Sequence, residues 1–308
     1  MKTNKIVKFL FPFWPWKIFR SIIGICILAS LVALSIILNF FKIKITAGIT
    51  ISVAWMPSMI IAWFFGPVIG FTLGFVIDTI NWLINPGYWF WLYAIQEPML
   101  GLIVGLLSSI FNLIKERKNH FTITVITNQF LLIGFLVVSI FVAFFYTDPN
   151  NFYFNQINTS RPDSEAAGIT KITQTVLRWV ILAIMIFMFF LIEGIILYKY
   201  LRWKNNKDYN TDTFEIFLFM TVISIISSVI FSFLLGPISA IEYYKALNNT
   251  DRVPSLVKFG VIYYVFPRII KEAFKTPLYI AVLSLVVCAL NPTIKRVKNH
   301  FYISYHQI

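Results

Sequence analysis

Long apolar stretches constrain this chain more than any other feature. One covers residues 21–41 and another covers residues 176–197, and each matches or exceeds the roughly 20 residues that an α-helix needs to cross a bilayer. Backbone groups inside lipid have no water to bond, so a stretch of this length must form a helix. The sequence therefore predicts a protein of the cell membrane that crosses the bilayer several times.

Composition agrees with a membrane protein and weakens the case for a nucleic-acid partner. Charged residues make up 13% of the chain, whereas soluble domains carry about 25%. The formal net charge of +13 is a possible sign of nucleic-acid binding. In a membrane protein it has a simpler explanation, because basic residues collect in cytoplasmic loops. We expect lipid, and no nucleic acid, around this chain.

Hydropathy and helix breakers together predict the fold class. The expected fold is all-α, a polytopic bundle of about eight transmembrane helices in a single membrane domain, 1–308. Pro- and Gly-containing pairs separate several of the segments. The predicted spans are about 18–41, 50–65, 68–85, 90–114, 121–146, 176–199, 213–236 and 259–290.

The distribution of charge predicts the orientation. Placing the N-terminus inside gives the cytoplasmic segments the higher density of Lys and Arg, so both termini are expected in the cytoplasm. The polar stretch 147–175 then faces outside and is expected to be an irregular loop. The first apolar run has no cleavage pattern after it and is expected to be a retained helix. Before it, Phe9–Phe19 holds tryptophans suited to an anchor at headgroup level.

Several kinds of chemistry find no support in the sequence. No Walker A motif is present, so the chain is not expected to hydrolyse ATP alone. His120, His300 and His306 fall in predicted loops or the tail, and no metal-binding pattern includes them. Cys26 and Cys288 lie in apolar runs and are interpreted as small apolar side chains. We therefore expect no enzyme, no metal and no cofactor.

Ionisable residues inside predicted spans are candidates for function, because they are costly in lipid. Glu193 lies near a helix end and has a simpler interpretation, since its side chain reaches the interface. Arg268 and Glu272 are four residues apart, and the alternative for them is a mutual ion pair. The residues in this class are Asp78, Glu97, Glu193, Arg268, Lys271, Glu272 and Lys275.

An ordered series of motifs in residues 29–107 resembles the first four helices of the substrate-binding (S) components of energy-coupling-factor (ECF) vitamin transporters, folate type. A single Gly-x-x-x-Gly motif is weak support, because it is common in membrane helices; the ordered set is far more specific. The segment Phe266–Val287 resembles the last helix of that family. The matching features are Ala29 and Ala33, Phe65-Gly66-Pro67, Gly70, Gly74 and Asp78, Pro86-Gly87-Tyr88, and Gly101 and Gly105.

The resemblance implies partners. A protein of this family binds a vitamin from outside and docks on a transmembrane coupling subunit that two ATPase subunits drive. Ala29 and Ala33 are the expected docking residues, with ordinary packing inside the chain as the alternative. Because the family typically has six helices, the sequence predicts a core of 18–114 and 213–290. An inserted helix pair and its extracellular loop then occupy 121–199.

The expected ligand site lies in the outer half of the bundle. Trp89, Tyr93 and Gln96 are spaced to share one helical face after Tyr88, and Glu97 is adjacent. Aromatic rings stack on a flat heterocycle, and a carboxylate accepts paired N–H groups. For the aromatic residues, an interfacial belt is the alternative.

A polar stripe on the last helix indicates the charge of the ligand. Tyr264, Arg268, Lys271 and Lys275 follow at steps of four, three and four. A ligand with carboxylates, such as folate, gains charge-assisted hydrogen bonds there, and lipid phosphates are the alternative. Other possibilities stay open: an S component for riboflavin, biotin or pantothenate, or a membrane-embedded enzyme or assembly protein.

Overall fold

The computed structural model confirms an all-α membrane protein. It describes residues 9–10, 22–41, 43–46, 49–115, 120–141, 144, 164–205, 211–246 and 262–306. Most of the proposed anchor at Phe9–Phe19 and residues 147–163 of the polar stretch lie outside the described residues. Within the described ranges, helices account for most residues, and the exceptions are one short hairpin and the short connections between elements.

The described elements follow in this order. The first helices are α1 (Ile22–Phe40), α2 (Trp55–Phe65), α3 (Pro67–Ile84), α4 (Trp91–Ala94) and α5 (Gln96–Lys115), and the hairpin strands β1 (Ile43–Thr46) and β2 (Ile49–Ile51) precede α2. The later helices are α6 (His120–Phe141), α7 (Ser164–Asn205), α8 (Thr211–Ser227), a π-helical segment (Ser228–Leu234), α9 (Leu235–Ala246) and α10 (Ile262–His306).

Each of the eight predicted spans coincides with a helix. Six helical stretches in the described residues are long and apolar enough to cross a membrane, and two further apolar helices, Trp55–Phe65 and Phe121–Val137, are shorter. The helix α2 is 11 residues long. At 1.5 Å per residue it covers about 16 Å, roughly half of a hydrocarbon core.

Three predicted boundaries are wrong. Residues 50–54 were expected to begin the second span, but β2 ends at Ile51 and α2 begins at Trp55. The hairpin pairs Ile43 with Ile51 and Lys44 with Thr50, and its Ile and Thr residues are β-branched types that favour strands. Hydropathy gives no sign of this, because an apolar strand and an apolar helix start look alike.

The other two errors are polar helix extensions. The expected irregular loop through residue 175 is helical from Ser164 onward, and α10 continues to His306 instead of ending near 290. Glu165, Ala166 and Ala167 are good helix formers. Spans chosen by hydropathy stop where the apolar residues stop, although the helix itself does not.

Proline sets two of the helix junctions. Gly66 separates α2 from α3 with φ at 88°, a left-handed value that glycine adopts without strain, and Pro67 opens α3. Pro98 has no N–H and its ring crowds the carbonyl four residues back, at Ala94. The predicted single span 90–114 accordingly has a turn at Ile95, between α4 and α5.

The chain divides into two compact units. The first contains residues 1–126, 210–223 and 278–308, and the second contains residues 127–209 and 224–277. In the first unit, α2, α3 and α5 pack against one another and α1 packs on α2 and α3. The arrangement of a six-helix core with an inserted pair at 121–199 stays a prediction.

An aromatic cluster fills part of the core of the first unit. The ring centroids of Trp63 and Phe111 are 5.2 Å apart, and those of Phe111 and Phe219 are 4.7 Å apart. Each such pair contributes about 0.5–1.5 kcal/mol beyond the burial of its area. The cluster joins α2, α5 and α8, so residues far apart in sequence share one core.

Candidate functional site

The aromatic segment before α5 is exposed. Tyr88 and Trp89 are each more than half exposed, and Tyr93 is also exposed. Trp82 Nε1 donates a hydrogen bond to the carbonyl oxygen of Gly87 over 3.0 Å, which ties this segment to the end of α3. The exposed rings are available to a heterocycle or to the lipid interface.

Trp89 does not share a helical face with Tyr93 and Gln96, so that expectation is wrong. Residues 86–90 are not helical, and Phe90 is extended with φ −131° and ψ 119°. Pro86 and Gly87 are the cause, because both disfavour a helix there. Tyr93 and Gln96 are further separated by the turn at Ile95.

Glu97 begins a buried polar network in the first unit. Its carboxylate is only 7% exposed, and Oε1 accepts a hydrogen bond from Ser58 Oγ over 2.7 Å. Ser58 Oγ lies 3.4 Å from Ser35 Oγ, and Ser35 donates to the carbonyl of Ala54 over 2.9 Å. Gln96, beside Glu97, is also buried. The network connects the starts of α2 and α5 with α1.

Close packing of backbones holds α5, and with it Glu97, against α3. A Cβ added at Gly74 would lie 2.6 Å from Pro98 Cα, and one at Gly101 would lie 2.2 Å from the carbonyl oxygen of Gly70. Small residues allow membrane helices to approach this closely. The glycines of the predicted motifs thus fix the position of Glu97.

Tyr279 adds a further contact to the same unit. Its hydroxyl donates a hydrogen bond to the carbonyl oxygen of Ser52 over 2.9 Å, and the residue is 2% exposed. The hydroxyl therefore joins the last helix to the segment that precedes α2. Sequence reasoning missed Ser35, Ser58 and Tyr279, since serine and tyrosine are ordinary residues in membrane helices and their partners are remote in sequence.

A charged cluster lies in the second unit, on α10. Lys271 Nζ and Lys275 Nζ each lie 3.3 Å from Glu272 Oε1, and Lys275 is 9% exposed. Ser228 Oγ donates to Glu272 Oε2 over 2.7 Å and lies 2.9 Å from the hydroxyl of Thr276. One carboxylate therefore holds two lysines in this part of the helix.

Arg268 lies one turn before Glu272, close to Gly236. A Cβ added at Gly236 would lie 1.6 Å from Arg268 Nη1, so the absent side chain makes room for the guanidinium. Ser228 belongs to the π-helical segment that precedes α9, and such segments are frequent at functional sites. Tyr264 is part of α10, but its side chain is outside the part of the chain that the structure describes.

The predicted ligand residues divide between the two units. Tyr88, Trp89, Tyr93, Gln96 and Glu97 belong to the first unit. Tyr264, Arg268 and Lys271 belong to the second. Each group is therefore described by its own geometry, and their common site stays a prediction.

The predicted docking residues lie on the exposed side of α1. Ala29 and Ala33 are exposed, whereas Leu28, Leu31 and Ser35 of the same helix are buried. The two alanines therefore do not pack into the first unit, which disfavours the alternative of ordinary internal packing. Elsewhere, Glu193 accepts a hydrogen bond from Gln129 Nε2 over 3.1 Å, a local contact within the second unit.

Comparison with known proteins identifies the family. The sequence profile of the family "ECF transporter, substrate-specific component" matches residues 24–199, more than half of the chain. The match includes the predicted motifs in 29–107 and continues through 121–199, whereas the last helix lies outside it.

Two curated relatives cover nearly the whole chain. The "Uncharacterized protein MG313" of Mycoplasma genitalium is 29% identical over 96% of this chain and 99% of its own length. The "Uncharacterized protein MG313 homolog" of Mycoplasma pneumoniae is 30% identical over 88% of this chain and 91% of its own. No solved structure matches. On the family match, the chain belongs to the substrate-specific components of ECF transporters.

Proposed function

We propose that this S component captures an anionic vitamin of the folate class from outside the cell. A transmembrane coupling subunit and two ATPase subunits then drive its import. The family match supports a small-molecule substrate and ECF partners in general. The specific ligand rests on the charges that the chain places at membrane depth.

The charged cluster on α10 is the observation that carries the proposal. Arg268, Lys271 and Lys275 lie within two turns of each other, and Glu272 is the carboxylate among them. Cations at membrane depth are costly unless they are paired. A ligand that brings carboxylates gains charge-assisted hydrogen bonds from such a group. A neutral flavin or a cationic thiamine gains little.

Glu97 is proposed to bind the other end of the ligand. A buried carboxylate accepts N–H groups well, and the pterin ring of folate presents paired N–H donors on one edge. Tyr88, Trp89 and Tyr93 are proposed to stack on the ring. The predicted residues thus bind the two ends of the ligand. Arg268 and Lys271 bind its carboxylates, and Glu97 binds its heterocycle.

Ala29 and Ala33 are proposed to dock on the coupling subunit. Helix association in lipid depends on close packing, because no water is released between helices. Two exposed small residues one turn apart offer such a surface. Both termini are proposed to lie in the cytoplasm, in keeping with the basic residues there.

Two measurements test the ligand. Mass spectrometry of small molecules retained by the detergent-purified protein identifies what the chain carries. Calorimetric titration then compares folate with p-aminobenzoylglutamate, which keeps the carboxylates and lacks the pterin ring, and with pterin, which lacks the carboxylates. Folate is expected to bind more tightly than either fragment. Tight riboflavin binding with none for folate would contradict the proposal.

A further inference from the structure

Two serine hydroxyls lie close to Glu97, and three oxygen atoms are within their reach as hydrogen-bond acceptors: Glu97 Oε1, Ser35 Oγ and the carbonyl oxygen of Ala54. Ser58 Oγ donates its hydrogen to Glu97 Oε1 over 2.7 Å, and Ser35 donates its hydrogen to the carbonyl oxygen of Ala54 over 2.9 Å. The two hydroxyl oxygens are 3.4 Å apart. A hydroxyl has one hydrogen and two acceptor lone pairs. Ser35 Oγ can therefore accept from Ser58 while it keeps its own bond to Ala54.

Because both serines are buried, each of their hydroxyl hydrogens needs an acceptor inside the protein. Ser35 is fully buried and Ser58 is 4% exposed. A buried hydroxyl hydrogen without an acceptor is unfavourable, because the desolvation of the group is then uncompensated. Ser58 must therefore find a second acceptor whenever another donor takes its place on Glu97. Ser35 Oγ, one side chain away, is that acceptor.

We infer that Ser58 and Ser35 are specificity-determining residues, which favour ligands that present N–H donors to Glu97. This inference rests on the proposed role of Glu97 in ligand binding. When a ligand N–H group takes the place of Ser58 on Glu97 Oε1, the Ser58 hydrogen turns to Ser35 Oγ, and no buried donor is left without an acceptor. Without Ser35, the Ser58 hydrogen must turn to the carbonyl oxygen of Ala54, four residues earlier on its own helix, and such a back-bond strains the helix.

Ligands that do not donate to Glu97 are expected to be unaffected by these two serines. A ligand fragment that does not donate to Glu97 leaves Ser58 in place, so it draws no benefit from Ser35. The preference for an N–H-bearing heterocycle thus depends on a pair of residues that need not touch the ligand. Their contribution is an energetic coupling that a double-mutant cycle measures directly.

The experiment is a calorimetric titration of folate against the full chain and three variants: Ser35→Ala, Ser58→Ala and the double variant. Ser35→Ala is expected to weaken folate binding by about threefold, part of the effect of one hydrogen bond, because the Ala54 carbonyl replaces Ser35 as acceptor only with strain in the helix. Ser58→Ala is expected to bind at least as tightly as the wild type, because no hydrogen is displaced. The double variant is expected to match Ser58→Ala, so that the effect of Ser35 disappears. Ser35→Cys keeps a side chain of slightly larger volume with a weak acceptor, and it should show a similar loss if the alanine variant folds poorly.

Two controls separate this coupling from a structural effect. Ser108 is a buried serine of the same unit that donates to the carbonyl of Trp63, and Ser108→Ala is expected to lower thermal stability without changing folate affinity. The loss of the Ser35–Ala54 bond should lower the melting temperature equally with and without Ser58. Binding of p-aminobenzoylglutamate should not change in Ser35→Ala.

Two outcomes would contradict the inference in distinguishable ways. If the wild type binds folate but Ser35→Ala causes the same loss in the wild-type and Ser58→Ala backgrounds, Ser35 acts through another contact and the inference fails alone. If the wild type binds no folate, the proposed function fails and the inference fails with it.

Discussion

Serine hydroxyls help to hold two of the buried carboxylates of this chain. Ser58 donates to Glu97 in the first unit, and Ser228 donates to Glu272 in the second. Glu97 and Glu272 could be singled out from the sequence, because an acid inside an apolar span is conspicuous. Their hydroxyl partners could not, since a serine in a membrane helix more often bonds to its own backbone, and only the tertiary fold brings it to the acid.

The ion pairs of Glu272 refine the expected role of this residue. A mutual pair with Arg268, four residues earlier, was the alternative interpretation of the sequence, and the structure describes ion pairs of Glu272 with Lys271 and Lys275. Lys275 is three residues after Glu272 and shares its helical face, whereas Lys271 is the adjacent residue and does not. Periodicity therefore predicts which charges share a face, but side-chain length and the neighbouring helix decide which of them meet.

Arg268 provides the first test of the ligand's charge. Arg268→Ala is expected to weaken folate binding by about 1.5–3 kcal/mol, the value of a hydrogen bond to a charged group, or roughly tenfold or more. Arg268→Lys should recover only part, because lysine lacks the planar fork that meets a carboxylate in two places. Calorimetry with pterin is the control: an equal loss for this uncharged fragment would mean that Arg268 supports the fold.

Helices were predictable as segments, and their ends were not. All eight hydropathic segments correspond to helices, because length and apolarity are sufficient to recognise a span. The polar first part of α7 and the last part of α10 carry no such signal, although the helices continue through them. The hairpin of β1 and β2 depends on pairing between strands, which one apolar run does not reveal.

The contact of α3 with α5 gives a test at this scale. A Cβ at Gly105 would lie 2.3 Å from Pro67 Cα and N, both backbone atoms. Gly105→Ala is therefore expected to lower the free energy of unfolding by about 1–3 kcal/mol, the cost of overpacking. Thermal unfolding in detergent measures it.

Gly134→Ala is the matched control for this prediction. Gly134 lies within α6, and nothing lies within 4 Å of a Cβ built there. Alanine is preferred to glycine in a helix by roughly 0.5–1 kcal/mol, so this variant should be neutral or slightly more stable. Equal destabilisation of both variants would show that the α3–α5 contact is looser than described.

At the scale of the whole molecule, the chain is an S component, and its predicted topology and docking can each be tested. The family match ends at residue 199 and already includes six of the eight helical segments. The match by itself therefore does not single out 121–199 as the inserted pair that the resemblance predicts. Sequence alone could not decide this, because every apolar helix satisfies the same hydropathic pattern.

The two ends of α7 test the predicted orientation. This helix has 42 residues, or about 63 Å at 1.5 Å per residue, more than the ~40–45 Å of a whole bilayer. In a variant without Cys26 and Cys288, Ser164→Cys is expected to react with an impermeant thiol reagent on intact cells. Asn205→Cys is expected to react only after lysis. The opposite pattern would reverse the topology.

Ala29 tests the proposed docking surface. Ala29→Leu is expected to weaken assembly with the coupling subunit by about tenfold, because a bulky side chain separates close-packed helices. Folate affinity of the isolated chain should stay unchanged. Ala281→Leu, at another exposed alanine, should leave assembly intact. Loss of ligand binding in Ala29→Leu would assign this residue to the substrate core.

The backbone contacts between α3 and α5 also have a mechanical consequence. Helices that meet through long side chains can slide, since rotamers adjust to a new register. Gly70 and Gly101 meet through main-chain atoms, which have no rotamers to adjust. The two helices are therefore expected to move as one rigid pair. Movements of this chain during a transport cycle are expected between helices that contact each other through side chains.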